Sequence, residues 1–197
     1  MTAVVDKPKV TPEDLLKLPK DRRYELVDGE LVEKPMSALA GAVCAELLFR
    51  LGTFLESTRQ GTLFSADTGY QCFVKSPDKV RKPDISFIRK ERITADLWKQ
   101  GFIRIPPDLV VEVLSPSDSA SETERRVDDY LDAGVPLVWV VQPETRRVYV
   151  YRRGGTGLIL REQDDLIGEP VLAGFRLPAR EIFRPLEQIR EQPSQTK

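Results

Sequence analysis

The sequence predicts an α/β fold, a mixed β-sheet flanked by helices, with an N-terminal helix and a β-hairpin ahead of it. Three observations predict it. Pro107-Asp108-Leu109-Val110-Val111-Glu112-Val113-Leu114 is apolar almost without a break, the pattern of a strand covered on both faces. Just before it, Arg81-Lys82-Pro83-Asp84-Ile85-Ser86-Phe87-Ile88 puts Asp84, Ser86 and Ile88 on one face and Ile85 and Phe87 on the other. Helix signals also stand between strand signals along the chain rather than apart from them.

Taken in order, Thr11 followed by Pro12 opens a short helix, the threonine as N-cap and the proline at the first helical position. The segment from Arg23 to Glu33 is a hairpin turning at Asp28-Gly29, a pair suited to the type I′ turn, with Glu25 on the face that holds Arg23 and Val27. From Ser37 to about Leu55 the apolar residues Val43, Leu47, Leu48, Leu51 and Leu55 recur at helical steps. Thr62 to Phe64 and Gly69 to Val74 read as strands, and Lys90 to Trp98 as a broken helical connection. Ser119-Ala120-Ser121-Glu122 matches a capping box, so a helix is expected from Ser119 to about Ala133, stopped by Gly134. Val135 to Val141 is another buried strand, Arg147 to Tyr151 returns, Leu158 to Leu160 follows, and a short helix lies near Ala179 to Phe183.

With 197 residues the chain suits one domain, read as residues 11–186 between a flexible N-terminus (1–10) and a polar C-terminal tail (187–197). The N-terminus lacks the apolar stretch of a signal peptide, and no run approaches a membrane span, so a cytoplasmic protein without a membrane partner is expected. Cys44 and Cys72 fit reduced core thiols. Histidine is absent, which removes the commonest general base and every His-dependent zinc site. Acidic and basic residues nearly cancel, 31 against 30, so attraction to phosphate must be local. Between Lys75 and Arg92 the chain gathers seven basic residues, among which Lys79, Arg81 and Lys82 are candidate nucleic-acid contacts; a solvated charged loop explains the same cluster.

The chemistry rests on acids. A carboxylate in a strand as apolar as that of Glu112 costs on the order of several kcal/mol unless it is paired or holds a cation. Asp84 and Glu112 on neighbouring strands are the oxygen ligands that Mg²⁺ or Mn²⁺ takes, with Glu25 as a third ligand or an orienting group. For Asp84 a strand-entry residue after a proline is the plainer alternative. Without metal, neutralising either Asp84 or Glu112 is expected to relieve repulsion between buried acids and leave stability unchanged or raised.

Pro83-Asp84 with Glu112-Val113-Leu114 resembles the signature of the PD-(D/E)XK nuclease superfamily. More closely, Tyr24 to Leu31, Lys82 to Asp84, Pro107 to Ser117 and Tyr130 to Pro136 resemble the restriction-endonuclease group called the Uma-two family, a likeness running from Thr11 to about Phe183. The resemblance implies a restriction-endonuclease-like sheet and metal-dependent hydrolysis of nucleic acid, DNA first. It carries Glu25, Asp84 and Glu112 over as the acidic site, and it implies a homodimer reaching both strands. Where the superfamily has its lysine, this chain has Leu114; relatives supply one from the following helix at the position of Arg126, and a histidine where Ala40 stands. Arg126 borders the buried face of its helix and neutralises phosphate without acting as a base; pairing with Glu122 or Asp129 would also explain it. Tyr130 and Trp139 read as core aromatics, and Gln142 as a residue that reaches the site or caps its strand. The leading reading is a metal-dependent nuclease. An inactive nuclease-fold binding module and a hydrolase of a small phosphate are the alternatives.

Overall fold

The computed structural model describes residues 9–19, 22–34, 36–155 and 157–187. Most of the N-terminal segment and C-terminal tail marked off by sequence therefore lies outside the described residues.

Helix α1 (Pro12–Lys17) starts as expected: Thr11 Oγ1 accepts from the Asp14 N–H, and the Asp14 carboxylate accepts from the Thr11 N–H. Strands β1 (Tyr24–Val27) and β2 (Glu30–Glu33) form the hairpin, with both Asp28 and Gly29 at positive φ (54° and 86°), as a type I′ turn requires. Helix α2 (Ala38–Thr58) is capped by Ser37 and buries Ala40, Val43, Cys44, Leu47, Leu51 and Leu55. Contrary to expectation, α2 is long and apolar enough to cross a membrane by length and composition. Here it is a core helix against the sheet, and its charged pair Glu46 and Arg50 binds Glu181 and Arg184.

The main sheet has six strands in the order β3 (Gly61–Ser65), β4 (Ile85–Arg89), β5 (Leu109–Val113), β6 (Leu137–Gln142), β7 (Arg147–Arg152) and β8 (Gly157–Leu160). Only β5 and β6 run parallel, and the helix between them, α3 (Ala120–Ala133), is the crossover that a parallel pair needs. Ser119 caps α3 by accepting from the Glu122 N–H, and Gly134 ends it in the left-handed region at φ 100°. A small sheet of β9 (Asp165–Ile167) and β10 (Arg176–Pro178), then α4 (Ala179–Ile182), closes the chain.

Two expectations change. Gly69 to Val74 is not a strand: Tyr70 alone bridges, to Arg81 and to Ile103. The Asp84 strand is shorter than Arg81 to Ile88, for β4 begins at Ile85. Val80 pairs with Leu26 and Arg81 with Tyr70, so the 80–81 segment joins the hairpin to the sheet.

Alternation divides β4 and β5 as the sequence implies. Ile85, Phe87, Leu109, Val111 and Val113 face α2 in one apolar cluster with Trp139, Phe175 and Leu177. Ile88 and Val110 face α3 with Tyr70, Phe73, Val127, Tyr130 and Val138. Glu112 alternates with Val111 and Val113 and so turns toward α3.

Candidate active site

The antiparallel register Ile85↔Val111 extends one step to set Asp84 opposite Glu112. One backbone bond and one backbone-to-carboxylate bond fix that step: the Asp84 N–H donates to Val111 O (3.1 Å), and the Val113 N–H donates to Asp84 Oδ2 (2.7 Å). The acids expected to meet do meet, and both are buried.

Between them sits a cation that the sequence reading missed. Lys34 Nζ lies 2.5 Å from Glu112 Oε2 and 3.1 Å from Asp84 Oδ1, and it donates to the Lys82 carbonyl (3.0 Å). The hairpin delivers it. The pair Tyr24↔Glu33 extends to Arg23 opposite Lys34, joined by a 2.8 Å backbone bond, and opposite residues share a face. Arg23, Glu25 and Lys34 thus leave the hairpin on one side. The signal was available once the Asp28-Gly29 turn set the register.

Glu25 acts on the same cage. Its Oε2 accepts from Arg81 Nη1 (2.7 Å) and its Oε1 from the Lys82 N–H (2.8 Å). One peptide unit later, Lys82 O holds Lys34. Pro83 favours an extended Lys82, which keeps that carbonyl presented. Both oxygens of Glu25 are engaged, so its geometry is that of an orienting group.

Helix α3 supplies the far wall. Arg126 and Tyr130 stand four residues apart on one face and both reach Glu112. The Tyr130 hydroxyl donates to Glu112 Oε1 (2.8 Å), and Arg126 Nη1 lies 3.7 Å from Oε2. Arg126 Nη2 is held by Asp118 Oδ1 (2.9 Å), more closely than by Glu122 (3.9 Å). Asp118 also accepts from the Ser115 N–H, and Ser115 Oγ accepts from the Ser37 N–H, pinning the start of α2 to the end of β5. Tyr130 is thus a core aromatic with its hydroxyl in the site. Trp139 is wholly buried, stacked on Phe175, while Gln142 accepts from Thr145 and Tyr149 at the strand end.

The basic cluster separates on inspection. Lys79 and Arg81 turn inward onto Asp129 at 2.5 and 2.7 Å, their side chains 11% and 6% exposed. These charges are committed to carboxylates, so the surface patch expected for nucleic acid is reduced at these two positions. Lys82 places its backbone at the site and its side chain along a cavity of about 250 Å³ with Arg22, Tyr24, Asp67 and Phe102.

The electrostatics of the two acids differ. Burial opposes ionisation of Asp84, but Lys34, the Val113 N–H and Arg23 outweigh it and hold the carboxyl below its usual range. For Glu112 burial is the largest influence and raises the pKa, against the pull of Lys34 and Arg126. Burial also opposes the Lys34 ammonium, yet Glu112 and Asp84 prevail and raise its pKa. Burial and Glu112 push the Tyr130 phenol well up, so it remains a donor. Asp84 is therefore the fixed anion, and Glu112 the acid better able to take a proton.

Among the described residues no group of three or more His, Cys, Asp and Glu side chains is placed to hold a metal ion. The donor set nonetheless fits a hard cation: Asp84 Oδ1, Glu112 Oε2 and the Lys82 carbonyl already surround one, the Lys34 ammonium.

A mixed sheet that brings an Asp and a Glu from adjacent strands onto one lysine fits a nuclease of the restriction-endonuclease-like class. The sequence model of the Uma2 family, described as "Putative restriction endonuclease", matches residues 12–180, and the chain belongs to that family. Among solved structures it is similar to a crystal structure described as a putative nuclease belonging to DUF820 from Anabaena variabilis, at 24% identity and a TM-score of 0.76. The match covers 89% of this chain and 98% of that one. No curated protein matches.

Proposed function

We propose that this nuclease hydrolyses phosphodiester bonds of DNA with Mg²⁺ or Mn²⁺ held by Asp84 and Glu112. The observation that carries the reading is the oxygen cage itself: two strand-borne carboxylates and a backbone carbonyl converge on one cation. A divalent ion bound there would supply Lewis acidity and a water made nucleophilic near neutral pH. The protein's own groups do the rest. Asp84 stays ionised, Glu25 fixes the Lys82 carbonyl, Tyr130 orients Glu112, and Arg126 neutralises Glu112 from the helix as a positioning residue.

Charge balance favours an anionic substrate. The buried and half-buried carboxylates Glu25, Asp84, Glu112, Asp118 and Asp129 face Arg23, Lys34, Lys79, Arg81 and Arg126, five against five, with the more exposed Glu122 beside Arg126 outside that count. A divalent cation added to a balanced site is accommodated when a phosphodiester enters with it or when Lys34 withdraws. Residues 11–186 would act as one domain, in the cytoplasm, with two copies paired to reach both strands of a duplex.

Calorimetric titration with Mn²⁺ tests the metal assignment without a known substrate. Wild type should bind and gain melting temperature, as any ligand selective for the folded state confers, and Asp84→Ala should do neither. Equal binding by both proteins would remove Asp84 from the site.

A further inference from the structure

We propose that Arg23 is the residue that receives a phosphate oxygen of the substrate strand. This rests on the nuclease reading and assigns the contact to a cation that neither the family match nor the sequence pattern singles out. Among the described residues, Arg23, Lys34 and Arg126 form ion pairs with the acid pair. Lys34 and Arg126 are enclosed, with side chains 7% and 5% exposed, whereas that of Arg23 is 20% exposed. An approaching phosphodiester therefore meets Arg23 first.

The donor inventory agrees. Arg23 Nη2 donates to Asp84 Oδ1 (3.0 Å) and more weakly to the Ala66 carbonyl (3.4 Å), but Nε is buried without a hydrogen-bond partner. Buried N–H groups are almost always satisfied, so the unpartnered Nε leaves this guanidinium under-used as a donor and able to turn its exposed fork toward an entering acceptor. A guanidinium offers donors in a planar fork that matches the oxygens of a phosphate. Arg126 is not so disposed, since its Nη2 is bound to Asp118 and its chain is walled in by α3. The backbone behind Arg23 is rigid, its carbonyl accepting from the Lys34 N–H. With Nη2 on Asp84, Arg23 would hold a phosphate oxygen beside the acid that anchors the cage.

The test is binding of a fluorescent DNA duplex in EDTA, so that metal and cleavage play no part, across a salt series. Arg23→Gln should weaken binding and make the slope of log K against log salt shallower by about 0.9, the loss of one phosphate contact, while Arg23→Lys keeps the slope. A purely structural role would lower the melting temperature and leave the slope unchanged. In a second arm, inorganic phosphate should raise the melting temperature of wild type, raise that of Arg23→Lys less, and leave Arg23→Gln unmoved. If Arg23→Gln does not fold, the Arg23→Lys comparison decides, and an undiminished phosphate response in it overturns the proposal. Wild-type affinity and slope in a folded Arg23→Gln would also overturn it. If wild type ignores DNA but phosphate still separates it from Arg23→Gln, the anion site stands and the nucleic-acid reading falls. If neither probe separates the two proteins, the Arg23 assignment is wrong.

Discussion

The two faces of β5 are built from one five-residue stretch and follow opposite rules. Toward α2, Leu109, Val111 and Val113 are dry and apolar, and their only neighbours in the cluster are other hydrophobic groups. Toward α3, Glu112 sits between Lys34, Arg126 and Tyr130, every oxygen engaged. The first face gains from burial of area and tolerates any side chain of the right volume. The second is held by charges that stabilise only as a set, because removing one member leaves its partner buried and unpaired. Stability is the work of the α2 face and of the apolar cluster around Val110 on the other. Chemistry requires the α3 face to keep a set of charges that contributes little net stability.

The largest effect should come from removing the central cation. Lys34→Met leaves Asp84 and Glu112 facing each other, and by the general scale for broken buried pairs it should lower metal-free stability by about 3–5 kcal/mol in urea titration. It should also bind Mn²⁺ more tightly than wild type, since the competing ammonium is gone, and recover stability with metal. Equal Mn²⁺ affinity would show that Lys34 does not share the metal's place.

Next comes an asymmetry between the acids. With Lys34 between the acids, neutralising either one is now expected to cost stability rather than leave it unchanged or raised. Asp84→Asn should destabilise by about 3 kcal/mol or more, while Glu112→Gln should cost less. The signs follow from the shifts. The lowered pKa of Asp84 contributes stability that is present above its ordinary value near 3.8 and fades as pH falls through the folded value. The raised pKa of Glu112 works the other way, favouring the protonated carboxyl in the fold and penalising folding above about its ordinary 4.5. Denaturant midpoints of the three proteins between pH 3 and 7 measure this; equal penalties at neutral pH would contradict it.

On the apolar face, Val111→Ala should cost about 2 kcal/mol by cavity formation and leave metal affinity untouched. Smallest of all are the thiols. Burial pushes Cys44 to about 11 and Cys72 to about 12, so alkylation at pH 8 should be slow in the folded protein and fast in urea. The same raised values mean that their contribution is intact below the ordinary thiol value near 9.0 and is lost as pH rises through the folded values.

Local signals were legible wherever short-range chemistry decides. Thr11-Pro12, Asp28-Gly29, Ser119 and Gly134 marked their helix ends and turn correctly because caps and positive-φ turns depend on neighbours in the chain. Asp84 and Glu112 stood out because a carboxylate in an apolar strand needs a reason. Lys34 did not, since a lysine after a hairpin looks like a surface residue until the pairing register is followed past the strand end. Lys79 and Arg81 were misleading for the converse reason: as sequence they form a basic patch, and only the packing of α3 brings Asp129 against them. Gly69 to Val74 has strand composition, yet its pairing is confined to isolated bridges at Tyr70 and does not continue into a ladder.

The most direct measurement is cleavage of supercoiled plasmid DNA with Mg²⁺ or Mn²⁺, wild type against Asp84→Ala, with both proteins checked for folding. The account predicts nicking by wild type that stops in EDTA, and a loss of at least about 10²-fold in the variant, the scale for deleting one preorganised electrostatic group. Undiminished cleavage by Asp84→Ala, or a folded wild type that leaves the plasmid intact with either metal, would contradict it.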